Sequence, residues 1–376
     1  MNNELLNITF FTPTLQKTGS EMVLFNLLKY LPNNFNATIV TKYKGILYDD
    51  IPNKINKDFI FIFQNPSNIL FKIYYKIFRK RILQKKLELY KDSVWYINTI
   101  VLPDIIDFAV QNKIKIIVHV HELAEMYKIL SSSQLEQLIN YPKMIIANSN
   151  ASKSVLLAFK SNADIRICYP AINTSTIKYN KIDYNIIRKS LNISENEFIW
   201  TMVGSIDENK NPKLFIDIAV QLKKHTNHFK LMWIGSSNQG IENERAYLKY
   251  AEDNQVSDSI IWITNKQMDY LKYFNCADGF VLTSKLESFS LVTLEAMLLG
   301  LPVVANNCIG VNEVLGNDYG IIIDNSNSIK MSQEMLIIMN KPKQRESDIA
   351  PVKASKFDIS IWNNIWLNYL NDFIKK

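Results

Sequence analysis

Read for spacing alone, the chain alternates short apolar runs, rich in β-branched and aromatic residues, with longer amphipathic stretches of helical period. A first series of strands is predicted at 7–12, 36–41, 58–63, 93–98, 114–120 and 143–149. The pattern restarts at 198–205, 230–236, 259–264, 278–284, 301–306 and 319–324. Apolar strands separated by helix-length segments predict parallel sheets covered by helices, an α/β architecture of two doubly wound, Rossmann-like domains. Residues about 170–196 are polar and weakly periodic, which places a linker near Pro170 and gives domains 1–170 and 171–356. In the last segment, 357–376, Ile361, Ile365, Trp366, Tyr369 and Phe373 recur at helical spacing. That segment predicts a terminal helix whose apolar stripe packs back on the N-terminal domain. In doubly wound domains that face each other, ligands are expected in the cleft at the carboxyl ends of the strands.

Composition narrows the class without naming a function. With 47% hydrophobic and 21% charged residues over 376 positions, the chain reads as an ordinary globular protein of two to three domains. The start, MNNELLNITFF, has no basic stretch leading into an apolar one, and no 18 apolar residues run free of charge, so a cytoplasmic chain without a span is expected. Cys168, Cys276 and Cys308 are odd in number and widely spaced, which fits reduced thiols and no zinc site.

The formal charge is 43 − 36 = +7, and residues 67–87 contain seven basic residues (Lys72, Lys76, Arg79, Lys80, Arg81, Lys85, Lys86) and no acidic one. Apolar and aromatic positions interleave with them, giving an amphipathic basic helix. Two readings stand side by side: a solvated helix packed on its domain, or a peripheral contact with an anionic membrane surface at about 1 kcal/mol per basic residue. No nucleic-acid motif accompanies the charge.

The densest chemistry lies in TSKLESFSLVTLEAMLLGLPVVAN, residues 283–306. Glu287 falls in a loop at a strand's carboxyl end, and Ser288, Phe289 and Ser290 lead into a helix starting near Leu291, whose first amides favour a phosphate. Glu295 is the only charge in the helical run LVTLEAMLL, and a buried carboxylate needs a partner. A vicinal diol donating two hydrogen bonds would satisfy it, as would a structural pair with a lysine or a role capping a neighbouring loop.

This stretch resembles the donor-site signature of the family-four retaining glycosyltransferases with the GT-B fold. The resemblance implies that Glu287 holds hydroxyls of the donor sugar, that the backbone from Ser288 to Leu291 contacts the diphosphate, and that Glu295 holds the ribose. The chain carries Ser288 and Ser290 where the family often has glycines. VGSIDENKNPKLFIDIA is similar to the family's strand, loop and helix, with Gly204 and Lys210 matching and Ser205 where arginine is frequent. Lys210 would neutralise the departing diphosphate. Asn211 followed by Pro212 reads as a helix start. PTLQKTGSEMVLFNLLKYL resembles the acceptor-side glycine loop, with Gly19 and Glu21 matching and Thr18 replacing a glycine. His121 matches a histidine near the sugar's reacting carbon. His119 is read as a satisfied core residue, Asn98 as an acceptor ligand or turn cap, and His225 and His228 as surface residues. Ile309-Gly310-Val311-Asn312-Glu313 partly resembles a Gly-Gly-x-x-Glu loop, with one glycine absent.

The resemblance implies a retaining transfer of a sugar from a nucleotide diphosphate, UDP first among them, to a glycan or lipid-linked hydroxyl in bacterial surface polysaccharide or lipopolysaccharide synthesis. Catalytic roles fall on His121, Lys210 and Glu287. With no Asp-x-Asp in the chain, neither a metal nor a cofactor is expected. The alternatives are a nucleotide-sugar epimerase and a non-catalytic membrane-surface partner of glycan enzymes. A nicotinamide dehydrogenase lacks its GxGxxG.

Overall fold

The computed structural model of the protein describes residues 6–16, 19–61, 69–237, 240–264, 269–343, 345 and 350–375. The chain divides into two compact units, residues 1–172 with 359–376, and residues 173–358. The first contains β1 (Leu6–Thr12), α1 (Gly19–Lys29), β2 (Phe35–Thr41), β3 (Asn56–Phe59), α2 (Ile69–Glu88), β4 (Val94–Ile97), α3 (Pro103–Gln111), β5 (Ile116–Val120), α4 (Ser132–Asn140), β6 (Met144–Ala147), α5 (Asn150–Ala158) and β7 (Asp164–Ile167). The second contains α6 (Lys181–Ser190), β8 (Phe198–Val203), α7 (Pro212–Lys223), β9 (Phe229–Ile234), α8 (Ile241–Asp253), β10 (Ile260–Ile263), α9 (Tyr270–Asn275), β11 (Gly279–Leu282), α10 (Leu291–Leu298), β12 (Val303–Asn306), α11 (Val311–Leu315), β13 (Ile321–Ile323), α12 (Ser328–Met339) and α13 (Ala350–Ala354). A terminal helix, α14 (Ile359–Lys375), belongs to the first unit.

Each unit is a parallel, Rossmann-like α/β sheet. The strand orders are β3-β2-β1-β4-β5-β6-β7 and β10-β9-β8-β11-β12-β13. Both reverse direction beside their first strand, at β1/β4 and at β8/β11, and such switch points open a crevice at the strands' carboxyl ends. Alternation along the strands explains why they are apolar throughout. In the first sheet Phe10, Tyr96, Ile117 and Ile146 enter one core cluster, while Phe11, Trp95, Val118 and Ile145 enter the cluster on the other face. Helix α14 adds Trp366, Leu370 and Phe373 to the first of these.

Three elements differ from the sequence expectation. Strand β7 was not foreseen, because DIRI alternates charged and apolar residues as an edge strand does; Arg166 bonds Asp164 and Asp372, each at 2.8 Å. The polar stretch 170–196 holds helix α6, anchored by Arg188, whose Nη1 lies 2.9 Å from Asp278 Oδ2 with both side chains buried. Strand β3 ends at Phe59, and the remainder of the predicted 58–63 strand from residue 62 lies outside the described residues. Among the described residues no helix is long and apolar enough to cross a membrane.

Candidate functional site

In the second unit, the loops that follow β8 and β11 meet at the switch point. They are zipped together: Lys285 N donates to Asn209 O at 2.7 Å, Asn209 Nδ2 to Leu286 O at 3.0 Å, and Leu286 N to Asn209 Oδ1 at 3.1 Å. Asn211 caps α7 through Leu214 N, and Pro212 fills the first helical position. Behind the loop, Gly204 O accepts from Trp233 Nε1 at 2.9 Å. Gly235, at φ +140°, comes so close that a Cβ there would stand 2.1 Å from the same carbonyl.

Two of the predicted residues pair directly. Lys210 Nζ lies 2.5 Å from Glu287 Oε1, and Ser284 Oγ donates to that oxygen at 2.8 Å. The lysine stem passes over Gly204, where a Cβ would sit 3.3 Å from it. Burial pulls the Lys210 ammonium down, and the Glu287 carboxylate overrides it, leaving the pKa above its ordinary value. Ser205 hydrogen-bonds Asp207, and Asp207 Oδ1 accepts from Lys210 N at 2.9 Å. Where an arginine is frequent by resemblance, the serine therefore orders the loop that presents Lys210.

Ser288 and Phe289 lead into α10, with Phe289 buried edge-on to Phe357. Ser290, at the N-cap, directs its hydroxyl to Thr293 Oγ1 at 2.8 Å and makes no side-chain capping bond, and Leu291 opens the helix. Glu295 lies on the same helix, 7% exposed. Tyr270 on α9 donates to its Oε1 at 2.7 Å, and its Oε2 is buried with no hydrogen-bond partner among the described residues. Burial pushes the carboxyl up to about 7, against the Tyr270 hydrogen bond, which lowers it. Half of the expected partnership is thus internal, to a tyrosine.

The loop after β12 closes against Glu287. Glu287 N donates to Cys308 O at 3.1 Å and Gly310 N to Glu287 O at 2.9 Å, so that Ile309 and Glu287 form an isolated parallel bridge. A Cβ at Gly310 would stand 2.4 Å from the Ser288 carbonyl carbon, so this glycine is required by close approach. Glu313 lies in the short helix α11.

The first unit builds a polar cluster at its own switch point. Glu21, near the start of α1, accepts from Thr14 N, Thr14 Oγ1 and Gln16 N at 3.1, 2.5 and 2.9 Å, tying down the loop after β1. Gly19 opens α1 with space around its Cβ position, whereas Thr18 lies outside the described residues. Asn98, just past β4, donates to Ser20 O at 3.0 Å, so its Oδ1 faces His121 Nε2 at 3.0 Å as an acceptor. This fixes the tautomer of His121 with the proton on Nε2. Burial lowers the His121 pKa to about 3, so the ring is neutral. Glu122 bonds both Thr99 and His121 N.

His119 is the core residue expected, fully buried, but only one of its ring nitrogens has a partner among the described residues. Trp366 Nε1 donates to Tyr96 Oη at 3.1 Å, and that hydroxyl is hydrogen-bonded to His119 Nδ1 at 2.7 Å. His119 Nε2 is buried without a partner among the described residues, and its ring lies 4.1 Å from that of His121. His225 and His228 are exposed. Asp207, Asn209, Trp233, Tyr270 and Tyr96 carry no local motif; they are joined to the site through other elements.

Helix α2 buries Leu83 and Leu87 and exposes Ile73, Tyr74 and Ile77. Lys80, Arg81 and Lys85 are exposed, Lys86 pairs with Asp58 at 2.8 Å, and Arg79 covers the Phe61 ring at 5.1 Å. Residues 62–68 and the side chains of Lys72 and Lys76 lie outside what is described.

Residues 183–350 match the family model Glycosyl transferases group 1. A D-inositol 3-phosphate glycosyltransferase of Gordonia bronchialis is 27% identical over 195 residues, 50% of this chain and 43% of that protein. An Escherichia coli UDP-Gal:alpha-D-GlcNAc-diphosphoundecaprenol alpha-1,3-galactosyltransferase is 26% identical over 165 residues, 44% of this chain and 40% of that protein. The chain thus spans under half the length of these curated relatives. Among solved structures, Anabaena Alr3699/HepE in complex with UDP and glucose superposes with TM-score 0.80 at 17% identity, covering 97% of this chain and 99% of that one. The lipopolysaccharide outer core galactosyltransferase WaaB, in its apo form, gives 0.69 at 16% identity, covering 98% and 99%. Residues 183–350 thus resemble the glycosyl transferases group 1 family, and the two Rossmann-like sheets are those of the GT-B fold.

Proposed function

We propose that the protein transfers a sugar from a nucleotide diphosphate, UDP foremost, to a hydroxyl of a glycan or lipid-linked acceptor, with retention of configuration and without metal or cofactor. The observation that carries this reading is the buried Oε2 of Glu295, without a partner among the described residues, on the helix that follows the loop of the Lys210–Glu287 pair at the β8/β11 switch point. A ribose hydroxyl would satisfy the carboxylate, the first turn of α10 and Lys210 would take the diphosphate, and Glu287 would take sugar hydroxyls. Departure of the diphosphate develops negative charge, which the ammonium and helix-start amides stabilise, and the leaving phosphate takes the acceptor proton. Asn98 and Gly19 are assigned to the acceptor side, and His121 is assigned a catalytic role near the sugar's reacting carbon, acting in transfer and not in nucleotide binding. The UDP complex of HepE and the diphosphoundecaprenol acceptor of the galactosyltransferase support this choice of substrate classes.

Thermal stabilisation by UDP, GDP, ADP and CMP tests the donor half, because a ligand of the native state raises the melting temperature by mass action. A shift with a diphosphate nucleotide that Glu295→Ala abolishes, followed by acceptor-dependent transfer that His121→Ala reduces, is expected. Turnover of donor without acceptor would reassign the protein to epimerases, and no shift with any nucleotide would overturn the reading.

We also propose that the exposed basic and apolar face of α2 holds the enzyme at an anionic cytoplasmic leaflet, in surface polysaccharide or lipopolysaccharide synthesis. Sedimentation with phosphatidylglycerol vesicles should exceed that with phosphatidylcholine vesicles and fall in Arg81→Glu/Lys85→Glu; equal sedimentation would remove the membrane from the proposal.

A further inference from the structure

Ile309 combines three properties that seldom occur together. Its φ is +66°, in the left-handed region where a β-branched residue is an outlier. Its side chain is 53% exposed, so it is not kept for packing a core. Its backbone is held on every side: it bridges to Glu287, its N donates to Asn307 Oδ1 at 3.4 Å, and its carbonyl accepts from Asn312 N and Nδ2 at 3.2 and 3.1 Å. The bridge is made by the flanking Cys308 O and Gly310 N, the other contacts use backbone atoms of Ile309, and a glycine would allow all of them without strain. Neither folding nor solubility favours isoleucine here, which leaves the site as the reason for its side chain.

Bridged backbones run about 4.8 Å apart, so this exposed apolar side chain begins within the width of a sugar ring of Glu287. We propose that Ile309 is a specificity-determining residue: an apolar wall that selects a donor sugar carrying a methyl-bearing group, a 6-deoxy carbon or an acetamido group, beside the hydroxyls that Glu287 holds. The selection rests on the donor-site reading above. A hydroxyl turned to that wall loses its water and gains no partner, whereas a methyl group gains contact, and apolar pockets discriminate on this basis by about tenfold or more.

The test is calorimetric binding of the full chain and of Ile309→Gly to UDP, GDP and dTDP alone, and to UDP-glucose against UDP-N-acetylglucosamine, dTDP-glucose against dTDP-rhamnose, and GDP-mannose against GDP-fucose. The wild type should bind the methyl-bearing member of one pair about tenfold more tightly or better. Ile309→Gly should bind the bare nucleotide as the wild type does, keep or raise its melting temperature, and lose that preference. Bare-nucleotide binding with no methyl preference in the wild type, or with an unchanged ratio in Ile309→Gly, overturns the role of Ile309 and leaves the donor site standing. Failure of both proteins to bind any nucleotide overturns the donor-site reading and this inference with it. The acetamido and 6-deoxy arms separate the two sources of the methyl group.

Discussion

Lys210 Nζ and Glu287 Oε1, 77 residues apart in sequence, lie 2.5 Å apart across the loops after β8 and β11. The cation proposed to take the diphosphate is thus already paired, and on that proposal an arriving diphosphate competes with Glu287 for it. Lys210→Ala should weaken UDP binding about tenfold or more, since a charge-assisted contact is lost. It should also destabilise the protein by about 1–3 kcal/mol, because Glu287 is left largely buried without its cation. Glu287→Gln removes the competing charge while keeping the shape, so UDP should bind at least as tightly and the added contribution of the sugar should fall. Calorimetry with UDP and UDP-glucose separates these effects; equal weakening of UDP by both variants would refute the competition.

The Glu295 carboxyl, raised to about 7 by burial, makes stability depend on pH with a defined sign. The folded state holds the proton more tightly than the unfolded chain, whose carboxyl titrates near 4.5. This contribution is fully present below about 4.5 and is lost as pH rises through about 7, on the order of 3 kcal/mol in all. Melting curves of wild type and Glu295→Gln between pH 4.5 and 8 should converge at the acid end and separate in favour of the glutamine variant as pH rises. Parallel curves would place the Glu295 pKa near that of an ordinary carboxyl. A ribose diol donates best to the ionised form, so nucleotide affinity should rise over the same interval in wild type relative to Glu295→Gln.

The sheets were legible because a parallel strand buried on both faces is apolar without interruption, and Phe10, Phe11, Trp95 and Tyr96 show that directly. Strand β7 was not, because an edge strand keeps charges such as Asp164 and Arg166 on its open side, and neither was α6, whose one buried charge is paid for by Asp278, 90 residues away. At the site, Glu287 and Lys210 stood out by local motif. Tyr270, Trp233 and Asn209 did not, since each acts through a contact made only when distant elements pack. The sequence marked Glu295 as a charge lacking a partner, and the identity of that partner, a tyrosine on α9, required the fold.

His121 and Asn98, 3.0 Å apart, set the protonation of the first unit's cluster. The imidazole, lowered by burial to about 3, should show no titration by NMR between pH 5 and 8. Asn98→Asp places a carboxylate against Nε2–H and should move the ring's pKa upward, because an opposite charge at hydrogen-bond distance favours imidazolium. The same change sets a carboxylate against the Ser20 carbonyl, so a melting temperature a few degrees lower is expected. A ring that titrates near 6.5 in the wild type would mean that water reaches it and that Asn98 does not hold its tautomer.

Gly235 packs against the loop that carries Lys210 and Gly310 against the loop that carries Glu287, and their replacement should separate the two halves of the proposed donor site. At Gly235, alanine would meet Gly204 O at 2.1 Å in a left-handed backbone, displacing the loop that carries Lys210. At Gly310, it would meet the Ser288 carbonyl carbon at 2.4 Å, prying Glu287 from its bridge. Both variants should lose about 2 kcal/mol or more, since rigid backbone lies in the path of the new methyl group. They should differ in binding: Gly235→Ala weakens UDP itself, as Lys210→Ala does, whereas Gly310→Ala spares more of the nucleotide affinity and removes the increment from the sugar. Calorimetry on both variants below their melting temperatures distinguishes the outcomes, and a loss confined to stability in either would show that its loop relaxes without moving the residue it supports.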